Sequence, residues 1–233
     1  APDLHQFGFG LSGAVQAKGF IAGTPHKLTA NLNGQAQALQ FQQVLQAQNL
    51  RFRLLASPDL TQALDIDIVG NNLALLDRQN PGQSTVIERI NATAKGTGRQ
   101  HGIRAEGAMT LDGKPYRLDV AANGGMADQQ HWRGLVSRLN LSGAFNAQLQ
   151  NPMRLEAGAD KVSMSAANWA LMGGSLNLQS FLWQKGKGLT TRGAANRLAI
   201  SQLANIVKLP VEQNLIIGGA WDLMSGQNMS GYL

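Results

Sequence analysis

The stretch that decides the fold is residues 131–183, HWRGLVSRLNLSGAFNAQLQNPMRLEAGADKVSMSAANWALMGGSLNLQSFLW. Apolar and polar residues alternate in it, and successive side chains of a strand point to opposite faces of a sheet. This period of two therefore predicts strands with one apolar and one wet face. Turn-forming residues separate the apolar runs about once per strand length, which predicts an antiparallel meander. The turns are expected at Ser142-Gly143, Asn151-Pro152, residues 158–160 and Gly173-Gly174.

An ordered series of short patterns in the same stretch carries a family resemblance. The series reads Trp132-x-Gly134, Leu149-Gln-Asn-Pro152, Trp169-x-Leu171-x-Gly173-Gly174 and Leu176-x-Leu178-x-x-Phe181. It resembles the C-terminal half of proteins of the TamB family. These are AsmA-like proteins anchored in the inner membrane of Gram-negative envelopes. The similar pattern runs from about Leu50 to Trp221. The resemblance implies a periplasmic segment of a longer chain, with the membrane anchor outside residues 1–233.

The resemblance also implies an architecture. AsmA-like proteins fold an elongated, mostly antiparallel sheet that curls into an apolar-lined groove, a β-taco. We therefore expect an all-β chain in which residues 1–233 form one continuous groove segment with at most one or two short helices. The alternation alone is also compatible with a second architecture, a β-sandwich, which would bury the same apolar faces against its own residues.

Local signals elsewhere in the chain agree with strands. Asp112-Gly113, between alternating runs, predicts a hairpin turn, and Asn33-Gly34 predicts another. Helix propensity and alternation disagree over residues 35–48, where we favour strand. One segment, residues 201–209 (SQLANIVKL), favours helix, because its apolar residues recur at helical spacing between a capping Ser201 and Pro210.

Composition argues against several classes of function. The net charge is +6, but the basic residues are scattered, so we expect no nucleic-acid partner. No cysteine is present, the four histidines lack metal-ligand spacing, and we predict neither a cofactor nor a metal. The Gly8-x-Gly10-x-x-Gly13 pattern lacks the helix and acidic residue of a dinucleotide site. Asp65 and Asp67 are expected on a solvated strand face, and the chain is expected not to be an enzyme.

The function is therefore expected to lie in a surface. The resemblance implies a groove that carries phospholipid acyl chains between the inner and outer membranes. An alternative is a scaffold or chaperone for outer-membrane β-barrels and autotransporters, acting through strand edges with a TamA-type outer-membrane barrel partner. A weaker option, a glycan binder, would need an exposed aromatic platform that is not evident in the sequence. The predicted groove-lining residues are Leu139, Leu141, Val162, Met164, Leu176, Leu178, Leu215 and Ile217.

Overall fold

The computed structural model describes residues 11–24, 27–41, 45–76, 84–111, 113–128, 130–199, 216–225 and 229–232. These residues form sixteen strands and no helix. The strands are β1 (Leu11–Thr24), β2 (Lys27–Phe41), β3 (Leu45–Ala56), β4 (Ala63–Leu76), β5 (Ser84–Thr97), β6 (His101–Leu111), β7 (Lys114–Met126), β8 (His131–Gly143), β9 (Ala147–Leu149), β10 (Met153–Gly158), β11 (Lys161–Met164), β12 (Ala167–Leu171), β13 (Gly174–Gln184), β14 (Gly188–Ala199), β15 (Ile216–Ser225) and β16 (Met229–Tyr232).

The strands belong to one antiparallel sheet whose order follows the chain from β1 to β8 and from β13 to β16. Between β8 and β13 the sheet is filled by four short strands instead of two long ones. β10 and β11 occupy one end of this space, and β9 and β12 occupy the other. Pro152 lies in the break between β9 and β10, where its missing N–H is tolerated. The prediction of an all-β, antiparallel chain is confirmed.

By their internal contacts the residues divide into two compact units. Unit 1 is Ala1–Asp119 and contains β1 to β6 with the first part of β7. Unit 2 is Val120–Leu233 and contains the rest of β7 with β8 to β16. The single continuous groove segment over residues 1–233 stays a prediction.

Most local expectations agree with the strands observed. Residues 35–48 lie in β2 and β3, as the alternation predicted, apart from residues 42–44, which the structure does not describe. Gly113, with a φ of 73°, separates β6 from β7 at the predicted hairpin. Met172 and Gly173 form the two-residue turn between β12 and β13 with φ values of 49° and 75°, as a hairpin of this length requires. The helix predicted at residues 201–209 lies outside the described residues.

One turn prediction is displaced, because Ser142 and Gly143 end β8 and the bend follows them at residues 144 and 145, and another is wrong. Asn33 and Gly34 lie in the middle of β2 and not in a hairpin turn. The physical reason is close packing against both neighbouring strands, because a Cβ built on Gly34 would lie 2.6 Å from the carbonyl oxygen of Gln16 and 2.8 Å from Cζ of Phe52. Gly34 pairs with Phe52 in the ladder, so the glycine leaves room for the aromatic ring.

Candidate functional site

Unit 1 carries an apolar face made of three rows of side chains that cross β1 to β6. Residues paired across neighbouring strands share one face of the sheet, so the register defines each row. Every member of the three rows is Gly, Ala, Val, Leu, Ile or Phe. In strand order the rows are Gly19, Leu32, Leu54, Ile66, Ala94, Ile103, then Ala17, Gly34, Phe52, Ile68, Ala92, Ala105, and then Val15, Ala36, Leu50, Gly70, Ile90, Gly107.

The opposite face of the same strands is mostly polar. One complete row on it contains only polar or charged residues. Asp65, on this face, lies 3.4 Å from Nη1 of Arg53 and 4.0 Å from Nζ of Lys95. Asp67 pairs with Arg53 in the ladder, so both aspartates lie on the polar strand face that the sequence predicted. In strand order the polar row is Lys18, Asn33, Arg53, Asp67, Thr93 and Arg104.

The large residues of the unit 1 apolar face are half-buried. Only Ala36 and Gly70, both small, are buried in the three rows. A bulky side chain in a filled core touches neighbours on all sides and loses nearly all of its accessible surface. Half-burial is what lateral neighbours on the same sheet provide when nothing covers the face. The half-buried bulky members are Leu32, Leu50, Phe52, Leu54, Ile66, Ile68, Ile90 and Ile103.

Unit 2 carries an apolar face that is rich in aromatic residues. One row crosses β8, β10, β11, β13 and β14 as Trp132, Ala157, Val162, Trp183 and Leu189. Beside it, Leu155, Met164 and Phe181 continue the same face. Several bulky side chains on this face are buried, in contrast to the three rows of unit 1. They include Val136 at 3%, Met153 at 2% and Leu178 at 8% exposure.

The register places most of the predicted groove-lining residues on the unit 2 apolar face. Val162, Met164, Leu176 and Leu178 lie on it through their pairings in β11 and β13. Leu141 pairs with Ala147, which continues the same face through β12, and Leu139 precedes Leu141 by two residues. Ile217 pairs with Leu198 and alternates with Gly219 in β15. Leu215 lies outside the described residues, and the lining role of all eight stays a prediction.

Sequence reasoning missed the tryptophans. All four tryptophans of the chain lie in unit 2, and all four lie on its apolar face. Each is half-buried, so a ring surface remains accessible. The available signal was the alternation itself, since each tryptophan has the parity of its apolar neighbours, as in Trp169-x-Leu171. The four are Trp132, Trp169, Trp183 and Trp221.

A histidine clasp, a second feature that sequence reasoning missed, joins two turns at one end of the unit 2 strands. We use this name for His131, Asp128 and Asp160. The distance from Nδ1 of His131 to Oδ2 of Asp128 is 2.9 Å, and from Nε2 to Oδ1 of Asp160 it is 2.6 Å. Hydrogen bonds to Asp128, and then to Asp160, raise the pKa of His131 above 6.5. Only the imidazolium donates from both nitrogens, so protonation links the β7–β8 and β10–β11 turns.

Next to the clasp, Glu156 lies between two cations on the polar face. Nζ of Lys161 is 3.0 Å and Nη2 of Arg133 is 3.1 Å from its carboxylate oxygens. The hydrogen bond from Lys161, followed by that from Arg133, lowers the pKa of Glu156. Across the described strands and turns, no three His, Cys, Asp or Glu side chains come together in a metal-binding arrangement. In the same described part, no helix has the length and apolar character to span a membrane.

These features define a class of protein. In the part that the structure describes, the chain is an antiparallel β-meander that presents apolar sheet faces. The chain belongs to the TamB family, because residues 1–199 match the family profile described as "TamB, N-terminal domain". No curated protein and no solved structure gave a significant match.

The family resemblance is confirmed, and the region within the family is corrected. The match is to the N-terminal domain, not to the C-terminal half that the ordered patterns suggested, and it covers residues 1–49 as well. The alternation and the glycine paired with an aromatic residue recur along this chain, at Gly34 with Phe52 and at Gly193 with Trp221. A pattern that repeats in this way identifies a kind of sheet but does not mark a position along a long protein.

Proposed function

We propose that this chain is a segment of a periplasm-spanning TamB bridge whose apolar faces carry phospholipid acyl chains between the inner and outer membranes. The observation that carries the proposal is the apolar face of unit 1. Its three rows contain no polar side chain across six strands, and its bulky residues are only half-buried. A surface of this kind in water favours an apolar occupant.

The energetics suit transport along the sheet. Exposing an acyl chain of about 16 carbons to water costs on the order of 12 kcal/mol, at about 0.8 kcal/mol per methylene. Rows of aliphatic side chains that follow one another across neighbouring strands lower this cost at each position by a similar amount. A lipid therefore meets neither a deep trap nor a high barrier as it moves from row to row, while its headgroup stays in water.

Family membership supports the location and the partners in this proposal. TamB proteins bridge the periplasm of Gram-negative bacteria, so we place this segment there, in a protein anchored in the inner membrane elsewhere in its sequence. The occupants of the apolar faces are phospholipid acyl chains. The outer-membrane partner is a barrel protein of the TamA type.

The first test uses tryptophans as contact probes. The chain is purified without added lipid, and bound phospholipid is measured by native mass spectrometry and by extraction. The bound phospholipid is then exchanged for phospholipid with brominated acyl chains, which quench tryptophan fluorescence on contact. Because all four tryptophans are in unit 2, Phe52→Trp supplies a matching probe in unit 1. Co-purified lipid and quenching of the indole introduced by Phe52→Trp support the proposal, whereas a lipid-free chain without quenching contradicts it.

A matched pair of substitutions tests the face that carries the lipid. Ile68 lies on the apolar face of unit 1 between Phe52 and Ala92, and the next residue, Val69, lies on the polar face. Ile68→Asp is expected to abolish lipid binding in unit 1, because a carboxylate on the apolar face loses hydration when a chain covers it. Val69→Asp faces Arg51 and is expected to retain the lipid. Equal lipid content in the two variants contradicts the assignment of the face.

A second candidate function, a scaffold for outer-membrane β-barrel assembly, is favoured by the apolar residues on β1. In the described part of the sheet, β1 is the terminal strand, and Phe20 and Ile21 are 53% and 60% exposed. A terminal strand can pair with a strand of another chain, and lysine on such a strand discourages that pairing. If this function holds, Phe20→Lys with Ile21→Lys impairs barrel assembly in cells while the bound lipid is unchanged.

A further inference from the structure

Aromatic rings on the apolar faces of both units lie in places where a glycine leaves the sheet without a Cβ. A Cβ built on Gly34 would lie 2.8 Å from Cζ of Phe52, and one on Gly193 would lie 2.4 Å from Cζ2 of Trp221. A Cβ on Gly134 would lie 2.4 Å from Cη2 of Trp132. These distances are too short for real carbon contacts, so each ring occupies the space that the missing side chain leaves. We call these three positions the glycine recesses.

The recess at Gly193 is the most completely defined. Gly193 pairs with Trp221 across β14 and β15, so the two residues are on the same face. Nε1–H of Trp221 donates a hydrogen bond to Oγ1 of Thr191 at 3.3 Å, and Thr191 precedes Gly193 by two residues in β14. The indole is therefore held at two points along β14, over the bare backbone at Gly193 and at the Thr191 hydroxyl. Such a ring lies along the sheet and does not stand away from it.

A second ring is accommodated by two glycines at once. Gly134 follows Trp132 by two residues in β8, and Gly124 lies in β7. A Cβ on either glycine would lie 2.6 Å from Cζ2 of Trp132. Two bare backbone positions under one indole leave space for the full width of the ring. The arrangement therefore recurs on different strands of unit 2, and the pair of Gly34 and Phe52 repeats it in unit 1.

We infer that the glycine recesses are positioning residues that keep these aromatic rings flat against the sheet, so that an acyl chain can lie across them. This inference rests on the proposed function. A flat ring offers its apolar surface to the chain and takes up little of the space above the sheet. A methyl group in the recess removes the space for the ring, and the ring then has to turn out into the region that the acyl chain occupies.

The test compares two glycines on the same face of unit 2. Gly193→Ala places a methyl group in the recess of Trp221. Gly219→Ala is the matched control, because Gly219 is in β15 beside Trp221 on that face, yet a Cβ there meets nothing within 4 Å. We expect Gly193→Ala to lose most of the phospholipid bound in unit 2 and most of the quenching of Trp221 by brominated chains. Gly219→Ala is expected to keep both.

A double variant separates obstruction by the ring from disturbance of the sheet. The methyl of Gly193→Ala would also lie 2.6 Å from the carbonyl oxygen of Asn177, a backbone contact that could loosen the strands by itself. Adding Trp221→Leu removes the ring and leaves that backbone contact unchanged. If the displaced ring is the obstruction, Gly193→Ala with Trp221→Leu recovers the bound lipid. If the double variant binds no more lipid than Gly193→Ala alone, the inference is overturned.

Unit 1 supplies an independent repeat. Gly34→Ala with and without Phe52→Leu is compared with Gly107→Ala, whose Cβ would meet only the carbonyl oxygen of Arg89, at an ordinary 3.4 Å. Far-UV circular dichroism and thermal unfolding verify that each variant keeps its sheet. The outcomes also distinguish this inference from the proposed function. A wild-type chain that binds no lipid contradicts the proposed function, whereas lipid bound equally by wild type, Gly34→Ala and Gly193→Ala contradicts only the role of the recesses.

Discussion

Units 1 and 2 have apolar faces built by the same alternation, but the side chains on the two faces are buried to different extents. On the three rows of unit 1 every bulky residue is half-buried, and the only aromatic residue in those rows is Phe52. On the face of unit 2, Val136, Met153 and Leu178 are buried, and all four tryptophans of the chain are present. The two units therefore have similar backbones, but their apolar faces are filled by their own side chains to different degrees.

The difference follows from side-chain size. Side chains that stand on one sheet are covered only by their neighbours unless a second layer packs on them. Leucine and isoleucine reach adjacent residues but leave the top of the face open, whereas an indole covers a much larger area. Unit 2 is thus partly filled by its own rings, and unit 1 depends more on an external apolar occupant. Substitution of a buried side chain in unit 2 should therefore mainly affect stability, and substitution of a half-buried side chain in unit 1 should mainly affect lipid binding.

The largest effect is expected for a charge in the filled unit. Leu178→Asp places a carboxylate at a side chain that is 8% exposed, opposite Ala167 and Gly193. Loss of the packed leucine and burial of an unpaired charge should lower the free energy of unfolding by about 4 kcal/mol or more. Urea unfolding followed by tryptophan fluorescence measures this, because every tryptophan reports on unit 2.

Ser180→Asp is the control for this prediction. Ser180 is exposed in the same strand and pairs with Arg192 on the polar face, so the new carboxylate meets a cation and water. We expect a change within about 0.5 kcal/mol, as is usual for an exposed substitution. If Leu178→Asp unfolds at the same urea concentration as Ser180→Asp, the unit 2 face is not filled in solution and the contrast between the units is wrong.

A smaller effect is expected when an apolar side chain of similar size is truncated in each unit, and this compares the two units directly. Met153 in β10 is 2% exposed and pairs with Val136, so Met153→Ala leaves a cavity and should cost about 3 kcal/mol. Leu54 in β3 is half-buried on an open face, so Leu54→Ala should cost only about 1 kcal/mol, the transfer term without a cavity. Hydrogen exchange on peptides from β10 and β3 gives the two local free energies. Equal losses would mean that unit 1 is as fully packed as unit 2.

The sequence was sufficient for the class of fold but not for the filling of its faces. Period-two alternation specified the strands, because residues such as Leu176 and Leu178 have to share a face whatever the partner strands are. Asn33-Gly34 led to a wrong turn prediction, because the same dipeptide occurs in hairpin turns and in strands where the glycine lies under an aromatic ring. Only the pairing of Gly34 with Phe52, which the sequence does not show, distinguishes the two cases. The histidine clasp was not predictable either, because Asp160 is far from His131 in sequence and meets it only through the pairing of β8 with β10.

The smallest effect is expected at the histidine clasp, and it should depend on pH in unit 2. The pKa of His131 is raised above 6.5 in the fold by Asp128 and Asp160, so the clasp stabilises fully below about pH 6.5 and is lost as the pH rises through the folded pKa. The melting temperatures of wild type and His131→Gln should therefore differ most near pH 6 and converge in alkaline buffer. Asp160→Asn, which removes the negative charge from the acceptor of Nε2, should reduce the same difference. A constant difference between about pH 5 and about pH 9 would show that the imidazolium does not link the two turns.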